Sequence, residues 1–413
     1  MSKKKIRIGI IAFLGLICII TGTILLILPP KIDTSGYTLI DNLKIEVYSN
    51  LKIKDLLKSI DGKLLTNSKV STEKLGKQEL TFTYEKNDGK KRRGIIDIEV
   101  VDEEEPLVWL SSSYTARVGS DLNLEEEIFC ADNYDSNPNC KIEGTYDLNT
   151  AGTYNLTYVA TDSSDNQEKI DFILNVYDPA PVQETQEKEA VVEEQEPVVT
   201  AFNSVVETHK DDNTEIGIDV SRWQGEIDFS KVAAAGATFV MIRVGSQEGV
   251  DGKYNIDPYF KQNIENAIAN DLKVGVYFYS YADSIKEAKK QANWVLKQIQ
   301  GYKISLPIAF DWECYDSFNQ MELSLFGLNE VAESFLETVE DAGYDGMLYG
   351  SKSYLNSIWR YHEYDVWLAH YTDQTDYDSH YVMWQLCQDG QIDGINTAVD
   401  INVLYKNEKG DGK

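Results

Sequence analysis

The 413-residue sequence is poor in cysteine, histidine and basic residues. Five cysteines in a chain of this length exclude a fold built on disulfides. Four histidines without ligand spacing argue against a zinc centre. The 39 Lys and Arg stand against 68 Asp and Glu, so a nucleic-acid partner is not expected, because neutralising phosphates requires a basic surface. The sequence also lacks a glycine-rich phosphate loop and a G-x-S-x-G motif, so we predict neither a nucleotide cofactor nor a serine nucleophile.

One long uncharged segment is present, at residues 8–28. At about 1.5 Å per residue a helix of this length reaches roughly 31 Å, which matches the hydrocarbon core of a bilayer. Basic residues precede the segment, which predicts that the N-terminus lies in the cytoplasm, and Pro29 ends the segment. We predict a single-pass transmembrane anchor over residues 1–30, with the C-terminal domain outside the cell and facing the cell wall. A cleaved signal peptide is the alternative.

Residues 36–178 contain an internal repeat with an offset of 76 residues, in which residues 76–82 align with residues 152–158. Both segments alternate apolar and polar residues, as half-buried strands do. We therefore predict two β-sandwich modules, over 36–102 and 103–178. The second resembles the Ig-like modules of bacterial surface proteins in residues 158–166. A stalk is the favoured role, and adhesion or glycan binding is the alternative.

The remaining features of this region are a short cysteine-flanked loop and a linker. Cys130 and Cys140 flank the loop and could form a disulfide, whereas Cys314 and Cys387 are predicted to be free. Asp132 and Asp135 in this loop could hold Ca²⁺, but the loop lacks the spacing of an EF-hand, and no metal is assigned to it. Residues 179–214 are predicted to be an extended linker, because their glutamate- and proline-rich centre cannot form a core.

Residues 215–407 are predicted to form an α/β barrel. Eight short β-rich runs are present, at residues 216–220, 238–244, 273–280, 306–313, 347–350, 365–371, 381–387 and 398–403. Helical patterns follow the first five runs, at residues 229–235, 258–269, 284–300, 328–342 and 353–359. Strands that alternate with helices indicate a parallel sheet, and eight strands indicate a closed barrel. The last three strands lack a helical cover, so the prediction is an irregular (β/α)5β3 TIM-like barrel.

Four acids lie where predicted strands end, and in such barrels the chemistry gathers at this rim. They are Asp219 on the first strand, Asp311 and Glu313 on the fourth, and Asp400 on the eighth. The first and eighth strands are neighbours in a closed barrel, so these carboxylates should converge on one mouth. Clustered carboxylates raise one another's pKa, which keeps one protonated near neutral pH.

Three interpretations of these acids are open at this point. An Asp at a strand end can simply cap a helix, although this explains only one member of the Asp311/Glu313 pair. Carboxylates could also hold Mg²⁺ or Ca²⁺. Glycoside hydrolysis uses paired carboxylates and is the favoured chemistry. Aromatic residues on which sugars could stack lie at or near the strand ends, among them Tyr277, Tyr349, Trp367 and Tyr371.

At these residues the domain resembles glycoside hydrolase family 25, the muramidases also called Chalaropsis-type lysozymes. The motifs are residues 217–225 (GIDVSRWQG), 239–243 (FVMIR), 275–277 (GVY), 311–313 (DWE), 367–371 (WLAHY), 384–385 (WQ) and 399–402 (VDIN). The resemblance implies an irregular barrel with five helices. It also implies cleavage of the β-1,4 bond from N-acetylmuramic acid to N-acetylglucosamine in peptidoglycan, without a cofactor or metal.

The resemblance also implies roles for individual residues. Glu313 is the general acid, and Asp311 orients the substrate's acetamido group or serves as a base. Asp219 and Asp400 position the sugar and tune the pair. The implied glycan contacts are Tyr277, Arg243, Trp367, Tyr371, Gln385 and Tyr349.

The sequence therefore predicts a membrane-anchored, outward-facing muramidase for cell-wall remodelling or for local opening of the wall, which would let a larger envelope assembly through. A non-catalytic peptidoglycan-binding or adhesive surface protein is the alternative. Residues 216–413 carry 16 basic and 30 acidic residues, so an anionic wall would repel this domain at long range.

Overall fold

The computed structural model describes residues 30–178, 199–360 and 364–409. The predicted transmembrane segment and residues 179–198 of the predicted linker lie outside these ranges. Within them, none of the helices combines the length and the apolar character needed to cross a membrane. The chain divides into two compact units, Met1–Val101 and Asp102–Lys413, which are described separately.

The first unit is a β module with two small sheets. Strands β2, β6, β5 and β4 form one sheet in that order, and β1 pairs with β3 in the other. The inward side chains of β5 and β6 alternate along each strand, and Phe82, Tyr84, Ile96 and Ile98 are buried. The strands are β1 (Tyr37–Leu39), β2 (Lys44–Glu46), β3 (Leu57–Ile60), β4 (Lys63–Leu64), β5 (Gly76–Glu85) and β6 (Lys91–Val101).

The second unit begins with a β module of the same topology. Its sheet has the order β10, β11, β12, β8, and β7 pairs with β9. Strands β11 and β12 lie 76 residues after β5 and β6 at both ends, so the internal repeat of the sequence is also a repeat of structure. The strands are β7 (Leu107–Trp109), β8 (Ser113–Arg117), β9 (Phe129–Ala131), β10 (Asn139–Glu143), β11 (Gly152–Thr161) and β12 (Gln167–Tyr177).

The strands of the two modules lie between Tyr37 and Tyr177, and the assignment of both modules as Ig-like stays a prediction. In the second module a disulfide joins Cys130 to Cys140. Cys314 and Cys387 are free and buried, as expected.

The C-terminal part of the second unit is an eight-stranded barrel. Strands β14, β15, β17, β18, β19, β20 and β21 are parallel neighbours, and β22 closes the barrel by pairing antiparallel with both β21 and β14. The strands are β13 (Thr200–Ala201), β14 (Thr214–Val220), β15 (Phe239–Gln247), β16 (Tyr254–Ile256), β17 (Lys273–Tyr279), β18 (Ile308–Asp311), β19 (Gly346–Ser351), β20 (Asp365–Ala369), β21 (Tyr381–Gln391) and β22 (Val399–Lys409). The helices are α1 (Phe202–His209), α2 (Phe229–Ala234), α3 (Phe260–Ala269), α4 (Ile285–Gln298), α5 (Leu325–Asp341) and α6 (Lys352–Ser357).

The predicted irregular barrel is confirmed. All eight predicted strands are present, and the predicted helices correspond to α2–α6. Hydroxyl caps set two of the helix starts, because Ser284 accepts from the Glu287 N–H and Ser324 from the Gly327 N–H. The last strands, β20 to β22, are connected without a helix in the described residues.

Two boundaries differ from the prediction. The linker was expected to extend to residue 214, but β13 pairs with β21, and α1 buries Phe202 and Val205. This part of the predicted linker therefore belongs to the barrel domain, because its apolar side chains have a core to enter. Strand β18 ends at Asp311, two residues earlier than predicted, so Glu313 lies on the segment that follows the strand.

The second β module packs against the barrel. Trp109 stacks on Tyr354 with ring centroids 5.3 Å apart, and Phe129 lies 5.4 Å from Phe318. The Leu325 N–H at the start of α5 donates to the Asp132 carbonyl at 2.8 Å. The second module therefore contacts the barrel segment that follows Glu313, and its role as part of a stalk stays a prediction.

Candidate active site

A cleft of about 240 Å³ opens at the C-terminal ends of the barrel strands. All ten residues that the sequence proposed as catalytic or substrate-binding line this one cleft. The lining consists of Asp219, Ser221, Trp223, Gln224, Arg243, Tyr277, Tyr279, Asp311, Glu313, Tyr349, Trp367, Tyr371, Gln385, Gln388 and Asp400.

The first acidic pair is formed by Asp311 and Glu313. Asp311 ends β18 and is buried, whereas Glu313 is exposed. Trp312 between them is fully buried in the core outside the barrel. The two carboxyl groups are close enough to hydrogen-bond when one of them is protonated. Burial and the charge of Glu313 raise the pKa of Asp311 well above its usual range. Burial of the Glu313 carboxyl in the cleft raises its pKa as well, although the residue as a whole is exposed.

Arg243 supplies the positive charge next to this pair. Its guanidinium donates to the Asp257 carboxylate, with Nη2–Oδ2 at 2.8 Å and Nε–Oδ2 at 3.0 Å. Asp257 also accepts from the Arg222 backbone N–H, so the guanidinium is held in place. The charge of Arg243 lowers the pKa of Asp311 and opposes the effect of burial. Arg243 was predicted to contact the glycan, and the structure shows it as an electrostatic neighbour of the acids.

The second acidic pair is formed by Asp219 and Asp400. These residues are direct partners in the pairing of β14 with β22, and their carboxyl groups are hydrogen-bonded. Burial raises the pKa of both, and the charge of Asp219 raises that of Asp400 further. The charge of Asp219 also raises the pKa of Glu313, so the two pairs interact across the cleft.

A chain of hydrogen bonds fixes Asp219. Its Oδ2 atom accepts from Asn402 Nδ2 at 2.7 Å and from Gln385 Nε2 at 2.9 Å. Trp367 Nε1 donates to Asn402 Oδ1 at 2.8 Å, which orients that amide. Gln385 Oε1 accepts from the hydroxyls of Tyr349 at 2.9 Å and Tyr371 at 3.1 Å. Gln385 and Trp367 therefore hold an acid in addition to lining the cleft.

The predicted aromatic contacts divide into a floor and a rim. Tyr277, Tyr349 and Trp367 are buried, and Trp367 contacts both tyrosines edge to face, so the three form the floor of the cleft. Tyr371 is 48% exposed and can present a ring face. Trp223, which was not predicted, is 67% exposed at the rim.

Sequence reasoning also missed Asn402 and Asp257. Strand alternation contained a signal for Asn402, because residues two apart on a strand share a face and Asp400 was already assigned to the cleft. Asp257 follows β16 and had no such signal, since only the fold brings it to Arg243.

The metal interpretation of the cleft acids gains no geometric support. Within the described ranges, one group of three carboxylates is close enough to share an ion, and it lies in the second β module. The cleft acids instead form hydrogen-bonded pairs.

Comparison with known proteins gives matches to the barrel domain. A model of glycosyl hydrolases family 25 matches residues 218–395. An uncharacterised protein of Escherichia coli O157:H7, YegX, is 32% identical over 198 residues, which are 47% of this chain and 70% of that protein. The autolytic lysozyme of Clostridium acetobutylicum is 24% identical over 191 residues, 45% of this chain and 54% of that enzyme. A family 25 glycosyl hydrolase structure from Bacillus anthracis aligns with a TM-score of 0.41 and 22% identity, over 48% of this chain and 92% of that one.

Proposed function

The chain belongs to glycosyl hydrolases family 25 and is a glycoside hydrolase, and we propose that it cleaves peptidoglycan as an N-acetylmuramidase. The proposed bond is the β-1,4 link from N-acetylmuramic acid to N-acetylglucosamine. The observation that carries the proposal is the accessible Glu313, hydrogen-bonded to the buried Asp311 and facing a second acidic pair in the same cleft.

Glu313 is the proposed general acid. It is the exposed member of its pair, so a glycosidic oxygen can reach it. Burial and the charge of Asp219 raise its pKa, which favours a proton on Glu313 near neutral pH. Protonation of the leaving oxygen then assists cleavage of the bond to the anomeric carbon.

Asp311 cannot be the carboxylate that acts on the opposite face of the sugar. In glycosidases the two acting carboxyl groups are about 5 Å or more apart, because the sugar lies between them. Asp311 and Glu313 are hydrogen-bonded, which leaves no room for a ring. Asp311 Oδ1 has no hydrogen-bond partner among the described residues. This oxygen suits the implied role of orienting the acetamido group, which carries an N–H donor.

Asp219 and Asp400 are proposed to position the sugar from the other side of the cleft. Two amide donors fix Asp219, and Asp400 is partly exposed beside it. Trp223 and Tyr371 at the rim offer aromatic surfaces to the glycan strand.

We further propose that residues 8–28 anchor the protein in the cell membrane with the barrel outside, facing the wall. The uncharged length of this segment and the basic residues before it support the proposal. Attachment near the wall would raise the local concentration of an acidic enzyme that the wall repels.

The test is digestion of purified peptidoglycan by the full-length chain, followed by borohydride reduction and mass spectrometry of the new ends. A reduced muramic acid end is expected. The Glu313→Gln variant should fold and bind wall but release no ends. Glu322→Gln, at an exposed residue outside the cleft lining, is the matched control and should retain activity.

Two other outcomes would change the proposal. Reduced glucosamine ends would keep the hydrolase but reject the proposed bond. Wall binding without any cleavage would favour a glycan-binding protein.

A further inference from the structure

Three buried aspartates lie together in the second β module, away from the cleft. Asp102 precedes β7, Asp132 directly follows β9 and Asp162 directly follows β11. One carboxylate oxygen from each lies within 4.8 Å of the others. Burial and the charges of Asp102 and Asp162 raise the pKa of Asp132 to about 6, and burial also raises the pKa of Asp102.

Several oxygens at this cluster lack a hydrogen-bond donor although they are buried. They are Asp132 Oδ2, Asp102 Oδ1 and Asn133 Oδ1, none of which has a partner in the described residues. Asn133 is 2% exposed, and its side chain hydrogen-bonds to Asp102, so its amide lies at the cluster. Buried acceptors are almost always paired in native proteins, and three orphans in one place require an explanation. A bound cation provides one.

The surrounding loops hold these carboxylates in fixed orientations. Asp132 Oδ1 accepts from the N–H groups of Tyr134 at 3.0 Å and Asp135 at 2.6 Å. Asp162 Oδ1 accepts from the N–H groups of Ser164 and Asn166, each at 2.8 Å. The backbone therefore engages one oxygen of Asp132 and leaves its second oxygen to the cluster.

We propose that Asp102, Asp132, Asp162 and Asn133 form a binding site for one Ca²⁺ ion. Ca²⁺ takes oxygen ligands at about 2.3–2.6 Å, so ligands on opposite sides of the ion are about 5 Å apart. The spacing of the cluster fits within that sphere. The sequence offered Asp132 and Asp135 of one loop as a calcium site that lacks EF-hand spacing, and it assigned no metal there. The other two carboxylates come from distant parts of the chain, which a spacing motif cannot show.

The site would stabilise the contact between the β module and the barrel. The carbonyl of Asp132 accepts from Leu325 N at 2.8 Å, and that of Asn133 accepts from Phe326 N at 3.3 Å. Both donors lie at the start of α5, on the segment that follows Glu313. An ion bound to these two side chains would fix the backbone that contacts the barrel.

The test is calorimetric titration of CaCl₂ into EDTA-treated and desalted full-length chain, together with thermal melts at each calcium concentration. We expect one site per chain with a Kd of roughly 0.1–1 mM, the range of extracellular calcium modules, and a rise in Tm. Asp132→Asn keeps the acceptor for the backbone N–H groups but removes the charge, and should weaken binding at least about tenfold.

Asp121→Asn, at an exposed acid of the same module, is the matched control and should bind as the wild type does. Asp162→Asn is the second cluster variant, in case Asp132→Asn does not fold. If the wild-type chain binds no calcium at 10-fold the expected Kd, the proposal is refuted. Unchanged affinity in a folded cluster variant would equally refute the assignment of these ligands.

Discussion

Replacing Asp311 with Asn tests whether a shared proton sets the acidity of Glu313. In the wild type the two carboxyl groups titrate as a coupled pair: the charge of Glu313 raises the pKa of Asp311, whereas a hydrogen bond from Asp311 lowers the pKa of Glu313. The last proton of the pair is therefore the tightly held one, because its loss leaves two like charges side by side. Asn has the same shape but cannot ionise, and its amide can donate to an ionised Glu313. The substitution removes the second charge and gives the ionised Glu313 a donor, so the last proton should leave at a lower pH than in the wild-type pair.

The size of the shift follows from Coulomb's law. Two unit charges about 4 Å apart interact by about 1 kcal/mol in water and about 4 kcal/mol at an effective dielectric constant near 20. Since Glu313 is exposed and solvent screens it, the lower half of this range applies, about 1–2 kcal/mol. At about 1.4 kcal/mol per tenfold change in the ionisation equilibrium, this corresponds to a displacement of roughly 0.7–1.4 pH units.

The assay is the pH dependence of kcat/KM on solubilised glycan strands. A general acid with a raised pKa is active below that pKa, and activity falls as the pH rises through it. The alkaline limb of the profile should therefore move to lower pH by roughly 0.7–1.4 units in Asp311→Asn. An alkaline limb at the wild-type pH, in a variant that still turns over, would refute the shared proton. A shift to higher pH would refute the sign of the argument.

Three further predictions concern the supporting residues and the charge. Asn402→Ala should destabilise the fold by about 1–3 kcal/mol in denaturant titrations and should lower kcat, because Trp367 Nε1 and Asp219 each lose a buried hydrogen-bond partner. A fully active variant would contradict this role of Asn402. Trp109→Ala should lower the free energy of unfolding by about 1–3 kcal/mol in the same titrations, because the half-buried ring no longer stacks on Tyr354. An unchanged midpoint would mean that the module does not pack against the barrel there in solution. The initial rate of the solubilised protein on intact wall should rise when salt is raised from about 10 to about 100 mM, because screening weakens repulsion between two acidic partners, and a falling rate would contradict the repulsion.

The barrel was predictable because its signals are local. Each strand is a short apolar run, and each of α2–α6 has a periodic apolar face, so element types follow from the neighbouring residues. The helix α1 was missed for the opposite reason. It adjoins a glutamate-rich segment, and only a core formed by distant strands makes burial of Phe202 and Val205 favourable.

The cleft was predictable wherever topology alone brings residues together. Because the first and last strands of a closed barrel are paired, the backbone topology alone makes Asp219 and Asp400 neighbours. Roles were harder to predict than positions. From the sequence, Trp367 was predicted to contact the glycan. In the structure it is only 1% exposed, and its indole N–H holds Asn402 by a hydrogen bond. Such a distinction depends on which face of a ring is covered, and a sequence motif does not contain that information.

The docking of the second module changes the role of the acidic linker. Strand β12 ends at Tyr177 and β13 begins at Thr200, so the linker joins two parts of the chain that are already in contact through Trp109 and Tyr354. A linker between touching parts cannot set the distance between them, whatever its length. The linker only has to be long enough for the second module to reach the barrel segment that follows Glu313. The 22 residues between Tyr177 and Thr200 could span at most about 70 Å when fully extended, so the linker sets only an upper limit on the separation of its two ends.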